Sequence, residues 1–105
     1  MTSDDGSKLA QLSADSFRGW IGQSFAIAFS DQDRASATLK EVTEYSSRSM
    51  GSRAPFSIYL HVDDGKPRNQ QGTYVVSHPN LGSIAIFLVP LRPEANGAIW
   101  EAVFG

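Results

Sequence analysis

The sequence contains no cysteine, no long hydrophobic run and no large excess of one charge. The absence of cysteine excludes disulfides, thiolate zinc ligands and thiol nucleophiles. Nine basic and eleven acidic side chains leave a net charge of −2, so no strong field would draw the chain to nucleic acid or to an anionic membrane. The longest apolar run, residues 84–91, is far shorter than the ~20 residues that cross a bilayer. We therefore expect no membrane insertion.

The N-terminal residues also lack the features of a targeting signal. Residues 1–7 carry two aspartates where a signal peptide is positively charged, and no apolar segment follows them. No lipidation motif occurs at either end. We expect a chain that stays in the cytoplasm or is exported without a cleavable leader. Residues 1–11 are predicted to be a flexible tail, and residues 12–105 a single β domain.

The chain is rich in apolar and aromatic residues, which make up 41% and 10% of it, enough for one hydrophobic core. Ser13 is typical of a helix N-cap. Phe17, Trp20 and Ile21 follow at helical spacing and form one apolar stripe. We therefore predict a short helix that ends at Gly22.

From Gln23 onward the apolar residues alternate with a period of two, which is typical of β-strands. The alternation changes parity at Lys40–Glu41, which predicts a β-bulge. His78–Gly82 is typical of a tight turn, and Asn96-Gly97 of a hairpin. Residues 84–89 are apolar at every position, so their strand is predicted to be covered on both faces.

Short loops and the absence of βαβ spacing favour one fold class. We predict an all-β fold, a small antiparallel β-barrel or roll of about six strands with one short N-terminal helix. Its core is predicted to contain the apolar residues of the inward faces, namely Phe25, Ile27, Leu39, Phe56, Ile58, Leu60, Tyr74, Ile86, Leu88 and Phe104.

A set of short motifs resembles a known family. The motifs are RAPFS (53–57), QGTY (71–74), HPNLG (78–82), FLVP within 86–90 and WEAVF (100–104), with GQSF (22–25) upstream. Over roughly Leu12 to Phe104 the sequence is similar to a family of small bacterial β domains of unknown function. That pattern usually has Tyr where this chain has Trp100. The resemblance implies kinship with phage-tail-like or surface-fibre structural proteins.

The two histidines are the first candidates for a metal site. His61 and His78 could bind a metal together with Asp63, but no His-x-His or i, i+4 spacing supports such a site. We interpret His61 as an outward-facing strand residue and His78 as a turn residue whose ring bonds the local backbone.

Asp31 and Asp33 resemble the start of an EF-hand calcium loop. The sixth position is Ser36 instead of Gly, and the twelfth is Val42 instead of Glu. We interpret the two aspartates as turn residues.

Side chains for catalysis are present but do not form a known motif. The sequence has no GxSxG motif and no Gly-rich phosphate loop. Glu101 lies between apolar residues, and we expect it to form an ion pair with an arginine such as Arg53. We predict that the chain is not an enzyme and needs no cofactor or metal. The side chains considered were Glu41, Glu44, Glu101, Ser57, Thr73 and His78.

Basic loop residues leave one alternative function open. Tyr59 and Tyr74 could stack on bases, so a small β-barrel of this kind could bind single-stranded nucleic acid or another ligand. The basic residues are scattered and the net charge is negative, which makes nucleic acid the less favoured partner. The basic loop residues considered were Arg48, Arg53, Lys66, Arg68 and Arg92.

We therefore interpret the chain as a non-catalytic structural or protein-interaction subunit. Its partner would be the chain itself or a co-assembled subunit. Tyr59 and His61 occupy the outward face of their strand in place of the Lys and Glu that usually protect sheet edges. Leu9 and Leu12 give the tail apolar character for docking on a neighbour. These four are the predicted interaction residues.

Overall fold

The computed structural model describes residues 12–45, 55–66, 68–94 and 97–104. In these ranges one short helix precedes six strands that close into an antiparallel barrel, with neighbours in the order β1-β2-β3-β6-β5-β4. This confirms the predicted all-β class, the six strands and the single short helix. The elements are α1 (Ala14–Arg18), β1 (Ser24–Ser30), β2 (Asp33–Glu44), β3 (Phe56–Val62), β4 (Gly72–His78), β5 (Gly82–Glu94) and β6 (Gly97–Phe104).

Helix α1 covers one end of the barrel. Ser13 is the N-cap, as predicted, and its hydroxyl accepts a hydrogen bond from the Ser16 amide at 3.3 Å. Phe17 is fully buried, and its ring centroid lies 5.4 Å from that of Phe104. Among the described residues, no helix has the length and apolar content needed to cross a membrane.

The helix is shorter than the sequence predicted. It ends at Arg18, and Ile21, expected on the buried stripe, is 46% exposed. The turns that follow bring the Gly22 amide within 2.8 Å of the Leu39 carbonyl oxygen. Gly22 has φ +90°, a conformation that favours glycine. This bond to β2 directs the chain into β1 instead of continuing the helix.

The predicted strand irregularity and core are largely confirmed. The β2–β3 register shifts between Leu39 and Glu41, at the predicted bulge. Nine of the ten predicted core residues are buried. Tyr74 is half-buried instead, because its hydroxyl reaches out to donate to the Gln70 carbonyl at 2.6 Å. Trp100, absent from the predicted core, is almost fully buried.

Both predicted turns lie where antiparallel neighbours are joined, β4 to β5 and β5 to β6. Gly82 has φ +80° and the Leu81 amide donates to the His78 carbonyl at 3.0 Å, which confirms the tight turn. Gly97 is the first residue of β6, paired with Glu94, instead of a central turn residue. Asn96 lies outside the described residues.

The prediction that the strand of residues 84–89 is covered on both faces is wrong for a single copy of the chain. Ile84, Ile86 and Leu88 are buried, but the intervening Ala85 and Phe87 are exposed. A barrel strand has one face toward the core and one toward the outside, so barrel closure covers only one parity. The apolar outward parity of β5 is left at the surface.

Candidate protein-interaction face

Three adjacent strands, β5, β4 and β1, carry no charged side chain on the central part of their outward faces. Because strand residues alternate between the two sides of the barrel wall, the outward positions follow from the buried ones. We call this surface the uncharged face. It consists of Ser24, Ala26 and Ala28 on β1, Thr73, Val75 and Ser77 on β4, and Ser83, Ala85 and Phe87 on β5.

Strand register places these residues in straight rows across the barrel wall. Val75 pairs with Ala28 on one side and with Ala85 on the other, so the three form one row. Val75 is 45% exposed and Phe87, two residues beyond Ala85, is 51% exposed. Flanking strands bring charge back to the surface, with Arg34 opposite Ala28 on β2. This uncharged surface is therefore confined to three strands, although single apolar side chains are exposed elsewhere, such as Val103 on β6.

A second row is made only of small residues and forms a shallow groove. Ser36, Ala26, Ser77 and Ser83 pair in this order across four strands. The groove has a volume of about 460 Å³ and is bounded at one end by Pro79 in the β4–β5 turn. The Ser77 and Ser83 hydroxyls lie 2.9 Å apart and bond to each other. The low side chains of this row leave room for a larger side chain from outside.

The buried side chain of His78 lies beneath the groove. The Asn80 amide donates to Nδ1 at 3.1 Å, so the ring proton is on Nε2, which donates to the Gln23 side-chain oxygen at 2.7 Å. The ring is buried, with its centroid 4.5 Å from that of Phe25 and 4.8 Å from that of Trp20. The predicted bond to the local backbone is confirmed. Both ring nitrogens are engaged, so His78 has a structural role here.

The structure does not bring the two histidines together. His61 is on β3, which is not adjacent to β4 in the barrel, and it faces outward while His78 faces inward. Its Nε2 lies beside Gly97, 3.0 Å from where a Cβ on that glycine would stand. Among the described residues, no group of three or more histidines and acidic residues could hold a metal ion.

A second polar cluster contains the predicted residues Tyr59 and Glu101. The Tyr59 hydroxyl donates to Glu101 Oε2 at 3.0 Å, and the Tyr45 and Ser57 hydroxyls lie 2.9 Å apart. Hydrogen bonding with Tyr45, burial and the Glu101 carboxylate raise the pKa of Tyr59 to about 12. Arg53, the predicted partner of Glu101, lies outside the described residues. The partner that the structure describes is Tyr59.

This cluster makes a titration prediction. Glu101→Gln removes a negative charge next to the Tyr59 hydroxyl, so we expect the pKa of Tyr59 to fall below about 12, while the hydrogen bond with Tyr45 and burial keep it above its ordinary value. Ultraviolet absorbance of tyrosinate against pH measures it. Asp31→Asn, which removes the same charge from an exposed turn, is the control. If the highest tyrosine pKa were the same in Glu101→Gln as in the wild type, its assignment to Tyr59 beside Glu101 would be wrong.

A family model described as a domain of unknown function (DUF6916) matches residues 12–104. The chain belongs to this family. The match confirms the resemblance to a small domain of unknown function. No curated protein and no solved structure matches the chain.

The region matched by the DUF6916 model begins at a residue that was predicted to dock on a partner. Leu12 is 8% exposed and belongs to the hydrophobic core. The side chain of Leu12 is thus buried within the domain, and Leu12 is not a surface residue. Leu9 lies outside the described residues. Helix α1 follows directly, and packing Leu12 beside it buries one more apolar side chain.

Arg68, a candidate for nucleic-acid contact, is engaged within the DUF6916 domain. Its side chain is only 9% exposed and bonds two carboxylates, Asp33 at 2.7 and 2.9 Å and Asp64 at 2.8 and 3.0 Å. The guanidinium also lies 4.4 Å from the centroid of the Phe29 ring. Lys66 stays exposed, 4.0 Å from Asp33. Arg48, Arg53 and the Arg92 side chain lie outside the described part of the chain.

Sequence reasoning missed Phe87 and Val75 as surface residues. The period-two alternation could have identified both as outward-facing, because Phe87 is adjacent to the buried Ile86 and Val75 to the buried Val76. The lack of charge in residues 24–30, 73–77 and 83–91 was the available signal. The sequence did not show that these three stretches form neighbouring strands of the barrel.

Proposed function

We propose that this chain is a non-catalytic structural or protein-interaction subunit that docks through the uncharged face. One observation carries the proposal, the exposed Phe87 on the uncharged central part of three adjacent strands. Contiguous exposed apolar surface on a small domain is typical of an interaction site.

The energetics of docking favour this surface over the rest of the barrel. A partner that covers it removes Phe87 and Val75 from water, and both side chains still expose about half of their area. No charge has to be stripped of its hydration there, which is the main cost at charged interfaces. Elsewhere the outward faces carry groups such as Arg34 and Glu101. Val103 on β6 is also exposed, but Glu101 lies on the same outward side of that strand, whereas Phe87 and Val75 can be covered without desolvating a charge.

The finer form of the proposal places the subunit in a larger filamentous or phage-tail-like assembly. It rests on the resemblance of the sequence motifs to structural proteins of that kind. A docking face on the barrel is compatible with such a role as one contact of the assembly, and a filament would need a further, heterologous contact as well.

Site-specific photo-crosslinking tests the docking function. A benzophenone amino acid at Phe87 should yield a discrete protein adduct in cells that naturally make the chain. The matched control is the same probe at Ile21, which is 46% exposed against 51% for Phe87 and lies outside the uncharged face. Equal labelling at the two positions, or none at Phe87, would contradict the proposal.

A further inference from the structure

The uncharged face carries both a protruding side chain and a depression. Phe87 protrudes on β5, and the groove of about 460 Å³ lies around Ser83 of the same strand. Ala85 stands midway, two residues from each. At ~3.3 Å per residue, the protrusion and the depression lie about 6–7 Å on either side of the Ala28–Val75–Ala85 row.

This spacing is what a two-fold axis requires. If an axis runs along the Ala28–Val75–Ala85 row between two facing copies, each residue of the row meets its own counterpart. Phe87 of one copy then lies over Ser83 of the other, and the reverse contact is equivalent. We propose that the partner seated on the uncharged face is a second copy of this chain, with Phe87 of each copy inserted into the serine-lined groove of the other.

Charge and shape both favour a second copy as the occupant. The face offers no charged group to attract a charged partner, and a second copy brings an equally uncharged surface. The groove is low because its row contains only serine and alanine, so an aromatic ring enters without moving the barrel wall. The proposal rests on the docking function proposed above and names its partner.

The area of the face sets the strength of the contact. Five residues along each of three strands cover a flat area of roughly 200–300 Å², against roughly 800 Å² per partner in a standard stable complex. We therefore expect a weak, transient dimer that is populated only at high protein concentration. Such a contact becomes well populated where copies are concentrated, as in an assembly.

Paired variants of the purified chain give the decisive test. Phe87→Ser removes the protrusion and Ser83→Tyr fills the groove, and each alone should raise the dimer Kd at least about tenfold. A mixture of the two should associate again, because the intact Phe87 of one variant fits the intact groove of the other. Sedimentation and NMR at micromolar to millimolar concentrations measure this, with Ile21→Ser as the control that should dimerise like the wild type. Circular dichroism checks that all variants are folded.

A crosslink locates the axis. Since the chain has no cysteine, Ala85→Cys provides a single thiol that should be joined to its counterpart by a short bis-maleimide, whereas Lys40→Cys on the outside of β2 should not.

A wild-type chain that stays monomeric at millimolar concentration, or a variant mixture that does not associate, would overturn the second-copy proposal. The docking function fails separately, if the photo-probe at Phe87 gives no adduct. An adduct with a different protein and no self-dimer would keep the docking function and replace the partner.

Discussion

Gly97→Ala is expected to destabilise the barrel by about 3–5 kcal/mol, among the largest effects of any single substitution in this chain. Gly97 has φ +136°, and a Cβ there would collide with the Val62 carbonyl oxygen and stand 3.0 Å from the Asp63 Cα. Both obstacles are backbone atoms of the neighbouring strand segment, so neither can rotate away. Relief requires separating β6 from β3.

Gly65→Ala is the matched control. Gly65 also has a positive φ, +74°, but a Cβ there meets nothing within 4 Å. Its cost is limited to backbone strain, about 1 kcal/mol. Urea unfolding of the two variants separates collision from strain, and equal free energies of unfolding would contradict the account.

Arg68→Ala is expected to cost about 1–2 kcal/mol of stability, because it removes four hydrogen bonds to the partly exposed carboxylates of Asp33 and Asp64 and leaves them side by side without their shared cation. It also removes the guanidinium from the Phe29 ring, which packs against Trp100 at a centroid distance of 5.0 Å. Lys66→Ala is the control, since Lys66 is 62% exposed and only 4.0 Å from Asp33. An exposed pair of this kind contributes about 0–1 kcal/mol. Similar losses in the two variants would show that Arg68 has no special role.

The same cluster predicts a pH dependence. Hydrogen bonds from Arg68 hold the pKa of Asp64 at about 2 and lower that of Asp33 below its ordinary value. A carboxylate with a depressed folded-state pKa stabilises the fold above its unfolded-state value of about 4, and this contribution is lost as the pH falls toward 2. The stability difference between wild type and Arg68→Ala should therefore be full at neutral pH and shrink between pH 4 and 2. A constant difference over that range would contradict the assignment.

The elements with local causes were predictable. Period-two alternation identified the strands, and the parity change at Lys40–Glu41 identified the bulge, because side-chain parity is a property of the strand itself. The turn at His78–Gly82 depended on one glycine with a positive φ, which the residue type signals. The helix end was misplaced because the glycine that caps the helix is Gly19 and not Gly22, which lies three residues further on and bonds to β2.

The candidate site was predicted less well, because it depends on contacts between segments that are distant in sequence. Tyr59 was selected for its outward position, but its hydroxyl is bound to Glu101, which is 42 residues away. Leu12 was selected as a tail residue and is part of the core. The bond between Tyr59 and Glu101 joins segments that are far apart in the chain, and no local sequence pattern shows it.

The sequence by itself determined the strand-rich class, the parity of the core and the near balance of charge, because these depend on residue type and spacing alone. Only the tertiary structure decided that β4 closes onto β1 and that β5 lies beside β4. That closure places the rows Ser36–Ala26–Ser77–Ser83 and Ala28–Val75–Ala85 side by side and leaves Phe87 outside. Register between strands is set by the whole barrel, since a shift of one residue would exchange the buried and exposed faces of a strand.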